Sequence, residues 1–110
     1  MEKYIKEAVD YLKNKGFDAP EIGIVLGTGL GKLVDEIEKE SAASYNHIPN
    51  FPTATVEFHK GKLIYGTLAG KKVIVMQGRF HLYEGYSTYD VTFPIRVMHQ
   101  LGIKKLLVSN

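Results

Sequence analysis

An arginine, a histidine, a glutamate and two tyrosines stand between glycines in the segment Gly78–Tyr86, which we call the anion loop. Arginine presents a planar fork of N–H donors that matches phosphate or carboxylate, and a nearby imidazole adds a further donor. Neither a protein core nor an ordinary surface loop needs this combination. The loop therefore predicts one wall of an anion-binding site.

The residues of the loop suit different roles. Arg79 is the residue that would donate hydrogen bonds to the anion. The alternative role for Arg79 is a surface salt bridge, which contributes little to stability. His81 is a second donor or a packing histidine. Glu84 suits orientation better than general-base work, because a carboxylate that accepts from an imidazole fixes its tautomer and favours its cation. Tyr83 either lines a sugar or base pocket or lies half-buried in the core.

A glycine turn, Gly27–Gly31, follows an apolar run and precedes a predicted helix. The first N–H groups of a helix are unpaired donors, so the turn could cradle a phosphate with the hydroxyl of Thr28. The alternative is a tight turn that needs positive backbone torsions. A dinucleotide fingerprint would need glycine at Lys32, and a nucleoside-triphosphate loop would need glycine at Leu26 and a hydroxyl at Leu33. The turn is therefore a generic anion cradle.

Apolar spacing and turn residues predict the elements that position these groups. A capping box at Ser87 and Asp90 starts the last helix, which Gly102 ends. From Ser41 to Gly61 we predict a loop with one short strand. In chain order, the predicted helices and strands are helix 2–15, strand 22–26, a helix from Leu30 to about Glu40, a hairpin of strands 62–68 and 72–77, the capped helix 87–101 and a buried strand 106–110.

This order of helices and apolar strands predicts an α/β fold, a mixed sheet with flanking helices. Ligands of such sheets bind outside the carboxyl ends of the strands. Three strand ends are then expected to converge on one site: Gly27–Gly31, Gly78–His81 and Ser109–Asn110.

Composition narrows the class of protein. With 110 residues, 45% hydrophobic, the chain is one domain or part of one. The net charge is only +2, and the lysines occur in scattered pairs. This distribution does not indicate the continuous basic stripe of a nucleic-acid-binding protein. The sequence contains no cysteine, which excludes disulfides and thiolate metal sites. Its histidines and carboxylates are not spaced as metal ligands usually are. Without a signal-peptide core or an apolar stretch of membrane-spanning length, we expect a soluble, cytoplasmic protein.

Four segments together resemble the purine nucleoside phosphorylases of the trimeric, lower-mass type. The methylthioadenosine phosphorylases share the glycine turn but differ in the anion loop, so the purine nucleoside enzymes are the closer match. The segments are Val25–Gly31, Phe58–Gly61, Gly78–Tyr86 and Leu107–Asn110, in the family's order and spread over most of the chain.

The resemblance implies that residues 1–110 form the N-terminal part of a single nucleoside phosphorylase domain, active as a homotrimer when full length. The family cleaves purine ribonucleosides with inorganic phosphate as co-substrate and needs no cofactor or metal. Neither nucleic acid nor membrane is implied as a partner. In this chain, the implied catalytic residues are His81 and Glu84, the nucleoside contact is Tyr83, and the phosphate-binding residues are Thr28, His59, Arg79, Phe80 and His81.

Two departures from the family bear on function. Thr28 stands where serine is more common, which keeps the hydroxyl and adds a methyl group. Family members are also well over twice this length, and their purine-binding residues would lie beyond Asn110. We therefore expect the 110-residue chain alone to be inactive and its base preference to stay open. The alternatives are a non-catalytic phosphate-binding module and a chain that self-associates through an open edge at Leu106–Ser109.

Overall fold

A computed structural model of the chain describes residues 2–26, 31–52, 61–78 and 85–108. Within these residues, the strands form a single mixed sheet with α-helices packed on it, and a short 3₁₀ helix lies at Tyr45–His47. In chain order the elements are α1 (Glu2–Asn14), β1 (Ile22–Val25), α2 (Gly31–Asp35), β2 (Glu38–Ser44), β3 (Lys62–Leu68), β4 (Lys71–Gln77), α3 (Thr88–Leu101) and β5 (Lys105–Val108).

The sheet has the strand order β2-β3-β4-β1-β5. β1 runs parallel to both β4 and β5, whereas β3 pairs antiparallel with β2 and with β4. The predicted mixed α/β sheet is confirmed.

The hairpin of β3 and β4 follows the local sequence closely. Its two turn residues, Ala69 and Gly70, have φ values of 51° and 81°, and two successive positive values are typical of the tight turn that matches strand twist. Along β3, Leu63 and Tyr65 face one side of the sheet and Ile64 faces the other. The predicted hairpin is confirmed, with β4 starting one residue earlier.

Both faces of the central strands of the sheet are covered. The larger core lies between the sheet and the pair α1 and α3, and the smaller one lies between the sheet and the α2 segment. This double cover explains the continuously apolar runs of β1 and β4. The larger core includes Ile5, Leu12, Leu63, Ile74, Met76, Phe93 and Val97, and the smaller one includes Ile24, Val34, Ile37, Ile64, Val73 and Val75.

The first and last helices match their predicted signals. α1 buries Ile5, Ala8, Val9 and Leu12, and Gly16 follows it with a φ of 95°. α3 has both hydrogen bonds of the capping box, and Gly102 closes it in the left-handed conformation. None of the helices in the described part of the chain is long and apolar enough to cross a membrane.

The predicted helix from Leu30 to about Glu40 is wrong in its second half. α2 ends at Asp35, and Glu38–Ser44 forms strand β2. The apolar spacing that indicated a helix ends in a turn, where Ile37 packs into the smaller core. β2 is mostly exposed, and it is a strand because it pairs with β3. Tertiary pairing therefore overrides a weak local preference here.

The prediction that the last strand is buried is also wrong among the described residues. β5 pairs with β1 on one side, and Leu106, Leu107 and Val108 are 40%, 56% and 59% exposed. The apolar residues of β5 predicted burial, but they are exposed because α1, α2 and α3 do not cover this strand. An apolar edge of this kind promotes pairing with another chain.

We expect the isolated 110-residue chain to self-associate through β5. Leu107→Lys should shift the chain toward monomer in sedimentation velocity over a dilution series, because an edge lysine opposes strand pairing. The matched control is Tyr4→Lys, which adds the same charge at a residue that is 47% exposed on α1 and should change nothing. A wild-type chain that is monomeric at every concentration would contradict the expectation.

Candidate functional site

Three strands end together at one edge of the sheet. Because β4, β1 and β5 are parallel, their carboxyl ends share this edge, and Val25 lies opposite both Met76 and Val108. The N–H of Leu26 donates to the carbonyl of Met76 across 3.2 Å, which continues the pairing to the end of β1. The three strands therefore end together as predicted, while most of the segments that follow them lie outside the described residues. We call this edge, bounded by Leu26, Gly78 and Val108, the site edge.

A fourth piece of chain reaches the same edge at Gly61. Lys62, the first residue of β3, lies opposite Gln77, the last residue of β4. A Cβ placed on Gly78 would lie 3.4 Å from the Cα of Gly61. Segment 53–60, which contains His59, therefore rejoins the described chain beside the start of the anion loop.

Tyr45 connects these two glycines. It follows β2, it is 1% exposed, and its backbone N–H donates to the carbonyl of Gly61 across 3.1 Å. Its hydroxyl donates to the carbonyl of Gly78. Burial raises the pKa of the Tyr45 hydroxyl, so it stays protonated and acts as a donor. Sequence reasoning missed this residue.

Glycines at both ends of the anion loop have backbone conformations that other residues rarely adopt. Gly78 has a φ of 94° and Gly85 a φ of 93°. A side chain at either position would be strained whatever the space around it. After Gly85, Tyr86 packs against the larger core and Ser87 caps α3. The loop is therefore anchored by β4 before it and by α3 after it.

One unsatisfied acceptor lies at the site edge. Among the side chains that the structure describes, the Oε1 atom of Gln77 is buried without a hydrogen-bond partner. A buried acceptor left unpaired costs about 1–3 kcal/mol. Gln77 directly precedes Gly78, the first residue of the anion loop.

The predicted site residues themselves lie outside the described residues. Their roles therefore remain predictions, and the structure locates only the chain on either side of them. These residues are Thr28, His59, Arg79, Phe80, His81, Tyr83, Glu84 and the terminal Asn110.

A surface groove elsewhere has a different character. About 470 Å³ of space lies beside α1, lined by four charged side chains of that helix, by Ile5 and Val9, and by Gln100 of α3. Lys6 and Asp10 already pair across 2.8 Å there. The groove contains none of the predicted site residues. Nor does any cluster of three histidine or carboxylate side chains suited to a metal occur in the described ranges.

Comparison with known proteins gives consistent matches. Residues 21–110 match the family model described as the phosphorylase superfamily. Purine nucleoside phosphorylase 1 of Geobacillus stearothermophilus is 56% identical over 106 residues, which are 96% of this chain and 39% of that protein. Purine nucleoside phosphorylase 1 of Bacillus subtilis is 52% identical over 110 residues, which are 100% of this chain and 41% of that protein. The chain thus spans about two fifths of the length of these relatives.

A solved structure agrees in fold. Isoform 2 of purine nucleoside phosphorylase from Schistosoma mansoni, in complex with cytosine and ribose-1-phosphate, superposes with a TM-score of 0.90 at 47% sequence identity. The match covers 96% of this chain and 37% of that one. The sheet and helices described above therefore match a portion of this larger architecture.

Proposed function

This chain belongs to the phosphorylase superfamily, and we propose that the full-length protein is a purine nucleoside phosphorylase. The proposal rests on relatives of that name at 56% and 52% identity. One structural observation carries it: Gly78, directly before the arginine and histidine of the anion loop, lies where β1, β4 and β5 end together.

The proposed reaction is phosphorolysis. An oxygen of inorganic phosphate forms a bond to the anomeric carbon of a purine ribonucleoside, and the bond from that carbon to the base nitrogen breaks. The bonding electrons leave with the base, which takes up a proton, and the products are the free base and ribose 1-phosphate. Ribose-1-phosphate is bound in the Schistosoma mansoni structure, which supports this product class.

The residues of this chain would supply the phosphate side of the reaction. Arg79, with His59 and His81, would donate to the anion, and Glu84 would orient the imidazole of His81. Held donors of this kind align phosphate with the anomeric carbon and stabilise charge in the transition state. Thr28 and Phe80 would complete the phosphate contacts, and Tyr83 would border the nucleoside.

The setting of the enzyme follows from the same proposal. We place the full-length protein in the cytoplasm as a homotrimer that serves purine salvage, with residues 1–110 as the N-terminal part of one domain. The cysteine-free sequence is compatible with a reducing compartment. Inorganic phosphate would be the co-substrate, and no further cofactor would take part.

Activity of the full-length protein tests the proposal. We expect purified full-length protein to convert inosine or guanosine to free base only when phosphate is present, with ribose 1-phosphate formed in equal amount. The 110-residue chain should show no turnover, because its relatives are about two and a half times as long. A full-length protein that leaves purine nucleosides intact, or releases the base without phosphate, would contradict the proposal.

A further inference from the structure

Tyr45 lies where two pieces of chain from the candidate site meet, yet it belongs to neither. Its backbone holds Gly61, which follows segment 53–60, and its hydroxyl holds Gly78, which precedes Arg79. These two contacts come from one residue with almost no solvent exposure. The position of Tyr45 is therefore coupled to the positions of Gly61 and Gly78.

The orientation of the Gly78 carbonyl affects the path of the chain after β4. It belongs to the same planar peptide unit as the N–H of Arg79, so its direction sets the plane in which the chain leaves β4. Glycine itself restrains this plane weakly, because it has no Cβ and its φ is positive here. An external donor is needed to select one orientation.

Tyr45 is well suited to be that donor. Its ring packs against Phe51 at a centroid distance of 5.8 Å, and Phe51 packs edge-on against Phe93 of α3 at the same distance. Phe51 and Phe93 are 5% and 0% exposed. The hydroxyl therefore projects from a buried, packed row of aromatic rings, and this packing restrains its position.

We propose that Tyr45 is a positioning residue for phosphate binding: by holding the Gly78 carbonyl beside Gly61, it fixes the peptide plane in which the chain leaves β4 and from which the anion loop begins. The inference rests on the proposed function and assigns Tyr45 no contact with substrate. It acts through the peptide unit that joins Gly78 to Arg79.

The same sheet offers a matched control. Tyr65 is also buried, and its hydroxyl donates to a backbone carbonyl, that of Asp18, in the connection before β1. Asp18 precedes the start of β1, whereas Gly78 follows the end of the parallel strand β4. Tyr65→Phe therefore removes an equivalent hydrogen bond at the opposite edge of the sheet.

The test uses the full-length protein and compares Tyr45→Phe with Tyr65→Phe. Loss of one hydrogen bond should raise the KM for phosphate about threefold to tenfold in Tyr45→Phe. The KM for nucleoside should stay within about twofold of wild type in both variants. Thermal midpoints should fall by similar amounts in both, so stability alone cannot account for the difference. If either variant is unfolded at the assay temperature, both are measured with trimethylamine N-oxide, which favours the folded state.

The outcomes separate the two claims. An unchanged phosphate KM in Tyr45→Phe, or equal changes in both variants, would overturn the positioning role and leave the proposed function intact. A wild-type protein without phosphorolysis would overturn the proposed function. If such a protein still binds phosphate in calorimetry, a weaker affinity in Tyr45→Phe alone supports the role, and equal affinities overturn it. Wild type that neither turns over nor binds phosphate overturns both.

Discussion

In the full-length protein, replacing Arg79 with alanine is expected to lower kcat/KM for phosphate by about 10- to 150-fold. A hydrogen bond to a charged group contributes about 1.5–3 kcal/mol, and each 1.36 kcal/mol is a factor of ten in rate. Most of the loss should appear in the phosphate KM if Arg79 binds ground state and transition state alike. Steady-state kinetics with phosphate varied at saturating inosine measures it.

The chain contains a second arginine that serves as control. Arg96 is exposed on α3, outside the anion loop. Arg96→Ala removes the same charge and should leave phosphate kinetics unchanged, since exposed charges contribute little at a distance in salt. Equal effects of the two substitutions would remove the role assigned to Arg79.

The largest effect on stability is expected from Phe93→Ala. Phe93 is fully buried on α3 and contacts the rings of Phe51 and Tyr89 at 5.8 and 5.9 Å. Truncating a buried phenylalanine removes its transfer free energy and leaves a cavity, which costs about 3–5 kcal/mol. This is a large fraction of the roughly 5–15 kcal/mol that stabilises a typical domain.

Urea denaturation followed by circular dichroism measures that loss, with Tyr89→Ala as the control. Tyr89 lies on the same helix and touches Phe93, but it is 42% exposed. Its substitution should cost about 1 kcal/mol, near the average for point mutations. Similar losses in the two variants would show that the row of rings through Phe51 and Phe93 is not a principal support of the fold.

Elements with local signals could be predicted from the sequence. The hairpin of β3 and β4 is specified by the apolar run in each strand and by the turn at Ala69 and Gly70. α3 is specified by its capping box at Ser87 and its glycine cap. In each case the residues that determine the structure are neighbours along the chain. Their effect on local structure can therefore be predicted without knowing the fold.

β2 and β5 could not be predicted because other elements determine them. Glu38–Ser44 has no strand-like alternation of its own and becomes a strand through the antiparallel partner β3. The apolar residues of β5 indicated burial, but burial requires a covering layer that α1, α2 and α3 do not provide. Pattern alone cannot say which neighbour an element will have.

The candidate site divides in the same way. The order of helices and strands predicts that β1, β4 and β5 end together, and the parallel registers of β1 confirm this. That the phosphate-binding residues gather at these strand ends stays a prediction. Tyr45 was missed because a tyrosine after a polar strand carries no distinguishing signal. Its importance comes from Gly61 and Gly78, which lie 16 and 33 residues further along the chain.

The central position of β1 has a consequence for the order of folding. Its partners β4 and β5 follow it by about 50 and 80 residues, so each pairing closes a long loop before any contact compensates the lost entropy. The hairpin of β3 and β4 needs no such closure and can form in about 1–10 μs. The edge that would receive phosphate is therefore completed late. A ligand that recognises only the finished edge slows unfolding and leaves the folding rate unchanged.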